Sequence, residues 1–102
     1  MRNVYEENGR LIYEKISRII DTPFWGINSD VLERLENSGK EFYVKLVWKN
    51  HGGLLLDKTN LATLLRDINI TQKNQYKITM YEIREAGLRY KWDDKLLSAL
   101  ES

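Results

Sequence analysis

One segment, Thr22–Leu35, limits the possible folds of this chain more than any other part of its sequence. It holds the only proline, Pro23, and shortly after it a glycine, Gly26. Pro23 ends any preceding helix because it has no amide donor, and Gly26 allows a tight turn. Asn28 or Ser29 can then accept hydrogen bonds from the free amides of a new helix. The segment therefore predicts a turn that leads directly into a helix N-terminus.

Two adjacent aromatic residues, Phe24 and Trp25, lie beside this turn. Aromatic side chains most often fill the core, so packing is the simpler interpretation of the pair. Protein interfaces, however, draw much of their binding energy from a few aromatic and arginine side chains surrounded by polar groups. If the turn is exposed, Phe24 and Trp25 would form such a centre, with Asp30, Glu33 and Arg34 of the helix around them.

The residues before Pro23 allow two interpretations. Apolar side chains recur there with helical spacing, at Leu11, Ile12, Ile16, Ile19 and Ile20, after a short strand at Val4 and Tyr5. The dipeptide Asn8-Gly9 is a strong signal for a two-residue hairpin turn, which would make residues 3–14 two antiparallel strands. Of the two, we favour the helix.

The middle of the chain alternates between helical and strand periods. The predicted elements are a helix that carries Val31, Leu32 and Leu35 and ends at Ser38-Gly39, a strand at Phe42–Trp48, a turn at His51-Gly52-Gly53, a buried connection at Leu54–Leu56, a helix at Asn60–Ile68 and a strand at Tyr76–Tyr81. Both faces of the first strand are largely apolar, which is typical of a central strand. The strand–helix–strand order predicts a parallel pair joined by a right-handed crossover.

An extension is predicted at about residues 83–102. Ala86-Gly87 offers a turn after which Leu88–Trp92 could return as an antiparallel edge strand. Asp93 or Asp94 could then cap a final helix. The apolar residues of that helix would be Leu96, Leu97 and Leu100.

These elements predict one α/β domain over residues 1–102, with a small, mostly parallel sheet of about three strands packed with helices. The chain has no linker or repeat to divide it, and its lack of cysteine excludes disulfides and thiolate metal sites. Sixteen basic and fifteen acidic residues leave a net charge of +1, so local patches must select any charged partner. The chain shows no apolar stretch of about 20 residues and no signal segment, so we expect the protein in the cytoplasm.

Residues that could support catalysis are few. His51, the only histidine, stands beside two glycines, but no G-x-S-x-G motif supplies a nucleophile. Adjacent carboxylates such as Glu6 and Glu7 suit solvated turns and helix starts. One imidazole without clustered ligands does not make a metal site. We therefore expect no enzyme activity, no metal and no cofactor.

A stretch near the C-terminus suggests nucleic-acid binding. Arg84, Arg89, Tyr90, Lys91 and Trp92 interleave cations with aromatic rings, as single-strand binders do to contact phosphates and stack on bases. If the stretch is a strand, however, Tyr90 and Trp92 would pack on the core while Arg89 and Lys91 face water. The small net charge also favours this second interpretation.

The order of residues in the proline segment resembles the barstar family, small inhibitors of secreted ribonucleases. The matching residues are Pro23, Phe24, Trp25, Gly26, Asn28, Asp30 and Leu32. The strand Phe42–Trp48, the helix Asn60–Ile68 and the strand Tyr76–Tyr81 follow in the family's order. In that family the aromatic loop and the following helix plug the nuclease active site with carboxylates that replace phosphates. Arg34 stands where the family's strongest acidic contact would fall, so the partner would differ from the usual one.

The resemblance implies an immunity protein, an antitoxin that occludes the active site of a bacterial toxin nuclease, specifically a ribonuclease. The implied contact residues are Phe24, Trp25, Gly26, Asn28, Asp30, Glu33, Arg34 and Asp67. Such a protein would bind neither a membrane nor nucleic acid directly, and the resemblance leaves its oligomeric state open. The Arg84–Trp92 stretch supplies the alternative function, a small RNA-binding module.

Overall fold

A computed structural model describes residues 2–95, and two β-sheets organise this part of the chain. The strands are β1 (Val4–Glu7), β2 (Arg10–Ser17), β3 (Phe24–Asn28), β4 (Phe42–Trp48), β5 (Gly52–Leu56) and β6 (Gln75–Thr79). The helices are α1 (Ser29–Asn37), α2 (Lys58–Leu65) and α3 (Met80–Glu85), followed by a 3-10 helix at Arg89–Lys91. The architecture is a small α/β fold.

The larger sheet is mixed, with strand order β1-β2-β4-β5. Only β2 and β4 run parallel within it, and the separate pair of β3 and β6 is antiparallel. The prediction of a mostly parallel sheet is therefore wrong. Short turns join β1 to β2 and β4 to β5, and such turns can connect only antiparallel neighbours. The strands β4 and β6 lie in different sheets, so the crossover predicted between them is also absent from the described residues.

The N-terminal residues form the hairpin, and the helix that we favoured there is wrong. Asn8 and Gly9 both have positive φ, 53° and 79°, as a two-residue type I′ turn requires. The strands pair in the register of Val4 with Tyr13. Ile19 and Ile20 are exposed, so the apolar residues that suggested a helix do not share one buried face.

The second half of the chain departs from prediction at two boundaries. The predicted connection Leu54–Leu56 belongs to strand β5, which pairs with β4. The last strand ends at Thr79 because this residue caps α3. Its hydroxyl accepts from Tyr81 N at 3.2 Å, and its own amide donates to Glu82 Oε1 at 2.9 Å. A capping box of this kind stabilises a helix start and so competes with continuation of the strand.

The core lies between one face of the larger sheet and a layer formed by the β3–β6 pair and the helices. The sheet contributes Tyr13, Phe42, Val44, Leu46, Leu54 and Leu56. The opposing layer contributes Trp25, Ile27, Leu32, Leu35, Leu61, Leu64, Ile78, Ile83 and Leu88. Burial raises the pKa of the Tyr13 phenol above its ordinary value, and its oxygen accepts from Asn28 N at 3.2 Å. This bond ties β2 to the start of α1.

The C-terminal part of the described chain, which we call the strap (residues 88–95), packs against the body of the fold. Leu88 is buried, and the 3-10 helix replaces the predicted edge strand. Two backbone hydrogen bonds of 2.8 Å then join Asp93 to Gly53 of β5. The predicted final helix with Leu96, Leu97 and Leu100 lies outside the described residues.

Candidate functional site

The structure separates the two aromatic residues that the sequence placed in one contact surface. Strand β3 alternates its side chains, so Phe24 points outward and Trp25 points into the core. Trp25 is 2% exposed, and its indole nitrogen donates to the carbonyl of Val47 at 2.9 Å. Trp25 therefore packs in the core of this structure and does not lie on its surface. The segment forms a paired strand instead of a loop, and the strand period buries every second residue.

Two further predicted contact residues, Gly26 and Asn28, also lie in β3. A side chain at Gly26 would place its Cβ 2.6 Å from Gln75 Oε1 of the paired strand β6. Asn28 caps α1, as predicted, because its side-chain oxygen accepts from Asp30 N at 2.8 Å and Val31 N at 3.1 Å. Helix capping accounts for Asn28 without a partner, whereas the Gln75 side chain beside Gly26 has a flexible end that can move aside.

The remaining predicted residues are exposed but dispersed. Phe24 lies at the opposite end of β3 from α1, about 13 Å away at roughly 3.3 Å per strand residue. Asp30 accepts a hydrogen bond from Asn74 Nδ2 at 3.1 Å, and Arg34 is exposed on the same helix. Glu33 borders a depression beside Lys58 of α2. Asp67 borders a different depression, beside α3. The structure does not bring these residues into one continuous surface.

A larger cleft of about 690 Å³ opens between the start of β3, the end of β4, strand β6 and helix α3. Three aromatic rings line it, those of Phe24, Trp48 and Tyr81, together with three cations, Lys77, Arg84 and Arg89. We call it the aromatic–cationic cleft. Asp21 is the one carboxylate among the described residues that line it.

The side chains of this cleft are available to a ligand. Phe24 is 43% exposed and Tyr81 is 54% exposed. Lys77 Nζ lies 5.0 Å from the centre of the Phe24 ring, which is a cation–π distance. Neither Lys77, Arg84 nor Arg89 forms an ion pair with a carboxylate of residues 2–95. The cleft therefore carries a net positive charge beside exposed rings.

A second cleft adjoins the first, and we call it the His51 cleft. The Trp48 and His51 rings stack there with centres 4.1 Å apart and planes inclined by 27°. Arg89, Trp92, Asp93 and Asp94 complete its lining. The edge of the Trp92 ring meets Trp48 at 6.0 Å, and its indole nitrogen donates to the carbonyl of His51 at 3.1 Å.

Sequence reasoning identified part of this site. Phe24 was in the predicted contact set, and Arg84 and Arg89 were in the interleaved C-terminal stretch. Tyr90 is 77% exposed because that stretch forms a 3-10 helix, so the strand alternation that placed it on the core does not apply. Trp48, Lys77 and Tyr81 were missed as site residues. The signal for Lys77 was the outward position of every second residue along its predicted strand.

Comparisons with protein-family models, curated proteins and solved structures found no match for this chain. Within residues 2–95, no helix is long and apolar enough to cross a membrane.

Proposed function

We propose that this protein binds single-stranded nucleic acid, RNA in the first instance, through the aromatic–cationic cleft. The observation that carries the proposal is the grouping of Lys77, Arg84 and Arg89 around exposed Phe24 and Tyr81. Proteins that bind single strands use cations along the phosphate backbone and aromatic rings as platforms for the bases. A ligand that is both anionic and flat is the one that such a lining recognises best.

The residues of this lining fit a binding site better than an active site. Among the described residues of the aromatic–cationic cleft, Asp21 supplies the one carboxylate, and none is histidine, serine or cysteine. Lys77 and Tyr81 could also transfer protons, but no hydrogen bond joins the side chains of Asp21, Lys77 and Tyr81 into a paired base and nucleophile. The net charge of +1 does not oppose binding, because the positive charge is concentrated at the cleft.

Removing either arginine should weaken binding and reduce its salt dependence. We expect Arg84→Ala and Arg89→Ala to lower affinity for a single-stranded RNA several-fold. Each should also reduce the slope of log K against log salt by about 0.7, the value for one lost phosphate contact on a single strand. Fluorescence anisotropy with a labelled oligonucleotide over a salt series measures both quantities.

Arg34→Ala is the matched control, since Arg34 is an exposed arginine on α1 outside the cleft lining. It should leave affinity and slope unchanged. The proposal fails if the wild-type protein does not bind at low salt, or if all three arginine variants behave alike.

A second candidate is the immunity-type inhibitor of a toxin nuclease, made beside its toxin in the cytoplasm. The observation that favours it is the exposed acidic side of α1, where Asp30 and Glu33 lie one turn apart. Asn74 holds the Asp30 carboxylate by a hydrogen bond of 3.1 Å. A positioned carboxylate pair could face the cationic groups with which a nuclease holds phosphates.

The RNA-binding and inhibitor candidates predict that different variants lose function. If the protein is an inhibitor, Asp30→Asn combined with Glu33→Gln should weaken inhibition of the toxin by at least about tenfold. The reason is that a close charge pair across an interface can contribute about 1.5 kcal/mol or more to binding. Arg84→Ala should then have no effect. Co-purification with the product of a neighbouring gene, followed by a ribonuclease assay, provides the measurement. An acidic pair without effect on a captured nuclease would eliminate this candidate.

A further inference from the structure

The aromatic–cationic cleft and the His51 cleft adjoin each other. Both are lined by Trp48, and both are lined by Arg89. One ligand can therefore extend from Phe24 at one end to His51 at the other without leaving the protein surface. A mononucleotide would occupy only part of this path, whereas a continuous strand could follow all of it.

Hydrogen bonds to backbone carbonyls hold the indole rings of Trp48 and Trp92 in place between the two clefts. The Trp48 indole nitrogen donates to the carbonyl of Ile19 at 3.0 Å. The His51 amide donates to the carbonyl of Trp48 at 2.8 Å, and the Trp92 indole nitrogen donates to the carbonyl of His51. The two indole rings fixed in this way lose little conformational freedom when a ligand binds, which lowers the entropic cost of binding.

His51 is placed to extend this stack outward. One face of its imidazole lies against Trp48, and the residue is exposed to solvent. A flat ring added to the outer face would continue the series from Trp48 through His51. Arg89, which lines both clefts, is the cation that the His51 cleft offers to a phosphate, beside the carboxylates of Asp93 and Asp94.

We infer that His51 is a second base-stacking position, so that the ligand is a continuous single strand that spans both clefts. This inference rests on the proposed nucleic-acid function and specifies its ligand. Stacking on Phe24 or Tyr81 would hold one base, and stacking on His51 would hold another. A ring, and not a titrating or hydrogen-bonding group, is what position 51 must provide.

The test compares His51→Ala, His51→Phe and Phe24→Ala in titrations with a labelled single-stranded RNA of about 12 nucleotides, which is within the usual site size. Loss of one base–aromatic stack should weaken binding about 5- to 150-fold for His51→Ala. His51→Phe keeps a ring and should bind within about twofold of wild type. Thermal melts of each variant verify that the fold is intact.

The possible failures are distinguishable. If Phe24→Ala weakens binding while His51→Ala does not, the second position is refuted and the proposed function stands. If His51→Phe is as weak as His51→Ala, the role of His51 is not stacking, and the inference is likewise refuted. If the wild-type protein binds poly-glutamate as tightly as RNA, only its charge is being recognised, and the proposed function fails together with the inference.

Discussion

Trp25→Ala should destabilise the protein by about 3–5 kcal/mol, the usual cost of truncating a large buried aromatic side chain. The Trp25 indole is 2% exposed, lies 6.1 Å from the Trp92 ring and donates to the Val47 carbonyl. Truncation would leave a cavity and remove the hydrogen bond to the Val47 carbonyl. Domains of this size have free energies of unfolding of roughly 5–15 kcal/mol, so the variant would lose a large share of its stability. Urea unfolding followed by circular dichroism measures this loss.

The adjacent residue provides the matched control for Trp25→Ala. Phe24 is 43% exposed, and its removal leaves no buried cavity. We expect Phe24→Ala to cost less than about 1 kcal/mol, in the range of ordinary surface substitutions. Equal destabilisation by the two variants would contradict the assignment of Trp25 to the core and Phe24 to the surface. A larger effect of Phe24→Ala would show that Phe24 is the buried residue.

Gly52→Ala should cost about 3 kcal/mol and displace the strap. Gly52 has a φ of +102°, which costs an L-residue roughly 1–2 kcal/mol. A Cβ at this position would also collide with the Asp93 carbonyl oxygen and the Asp94 Cα. The strap would have to move, and the hydrogen bonds between Asp93 and Gly53 would be lost with it. Denaturant unfolding measures the total cost.

Gly39→Ala separates backbone strain from collision. Gly39 has a similar positive φ of +76°, but nothing lies within 4 Å of its added Cβ. We expect it to cost about 1–2 kcal/mol from strain alone. Because Arg89 and Trp92 belong to the strap, Gly52→Ala should also weaken RNA binding, whereas Gly39→Ala should not. Equal costs for the two glycine variants would show that the strap does not pack on Gly52.

Local signals predicted the elements that local interactions determine. The start of α1 was predictable because Asn28 caps it through its own side chain. Strand β4 was predictable from its two apolar faces. The region before Pro23 was mispredicted because an Asn-Gly turn with two positive φ angles outweighed a helical spacing of apolar residues. The sheet direction followed from that turn and from the short β4–β5 connection.

The candidate site was less predictable because tertiary structure assembles it. Phe24, Trp48 and Tyr81 come from three different elements, β3, β4 and α3, and they line one cleft only in the folded structure. Sequence alone also could not decide which ring of the Phe24-Trp25 pair faces outward. That choice depends on strand register, and a shift by one residue would exchange the two.

An NMR titration of the ¹⁵N-labelled protein with single-stranded RNA would show whether RNA binds at the aromatic–cationic cleft. The chain has three tryptophans, and hence three indole N–H signals, each in a different position relative to the clefts. Trp48 lines both clefts and Trp92 lines one, whereas Trp25 is buried. We predict that RNA shifts the signals of Trp48 and Trp92 together with the amides of Lys77, Arg84 and Arg89. Signals that remain unmoved at saturating RNA and low salt, or shifts confined to α1, would contradict binding at the cleft.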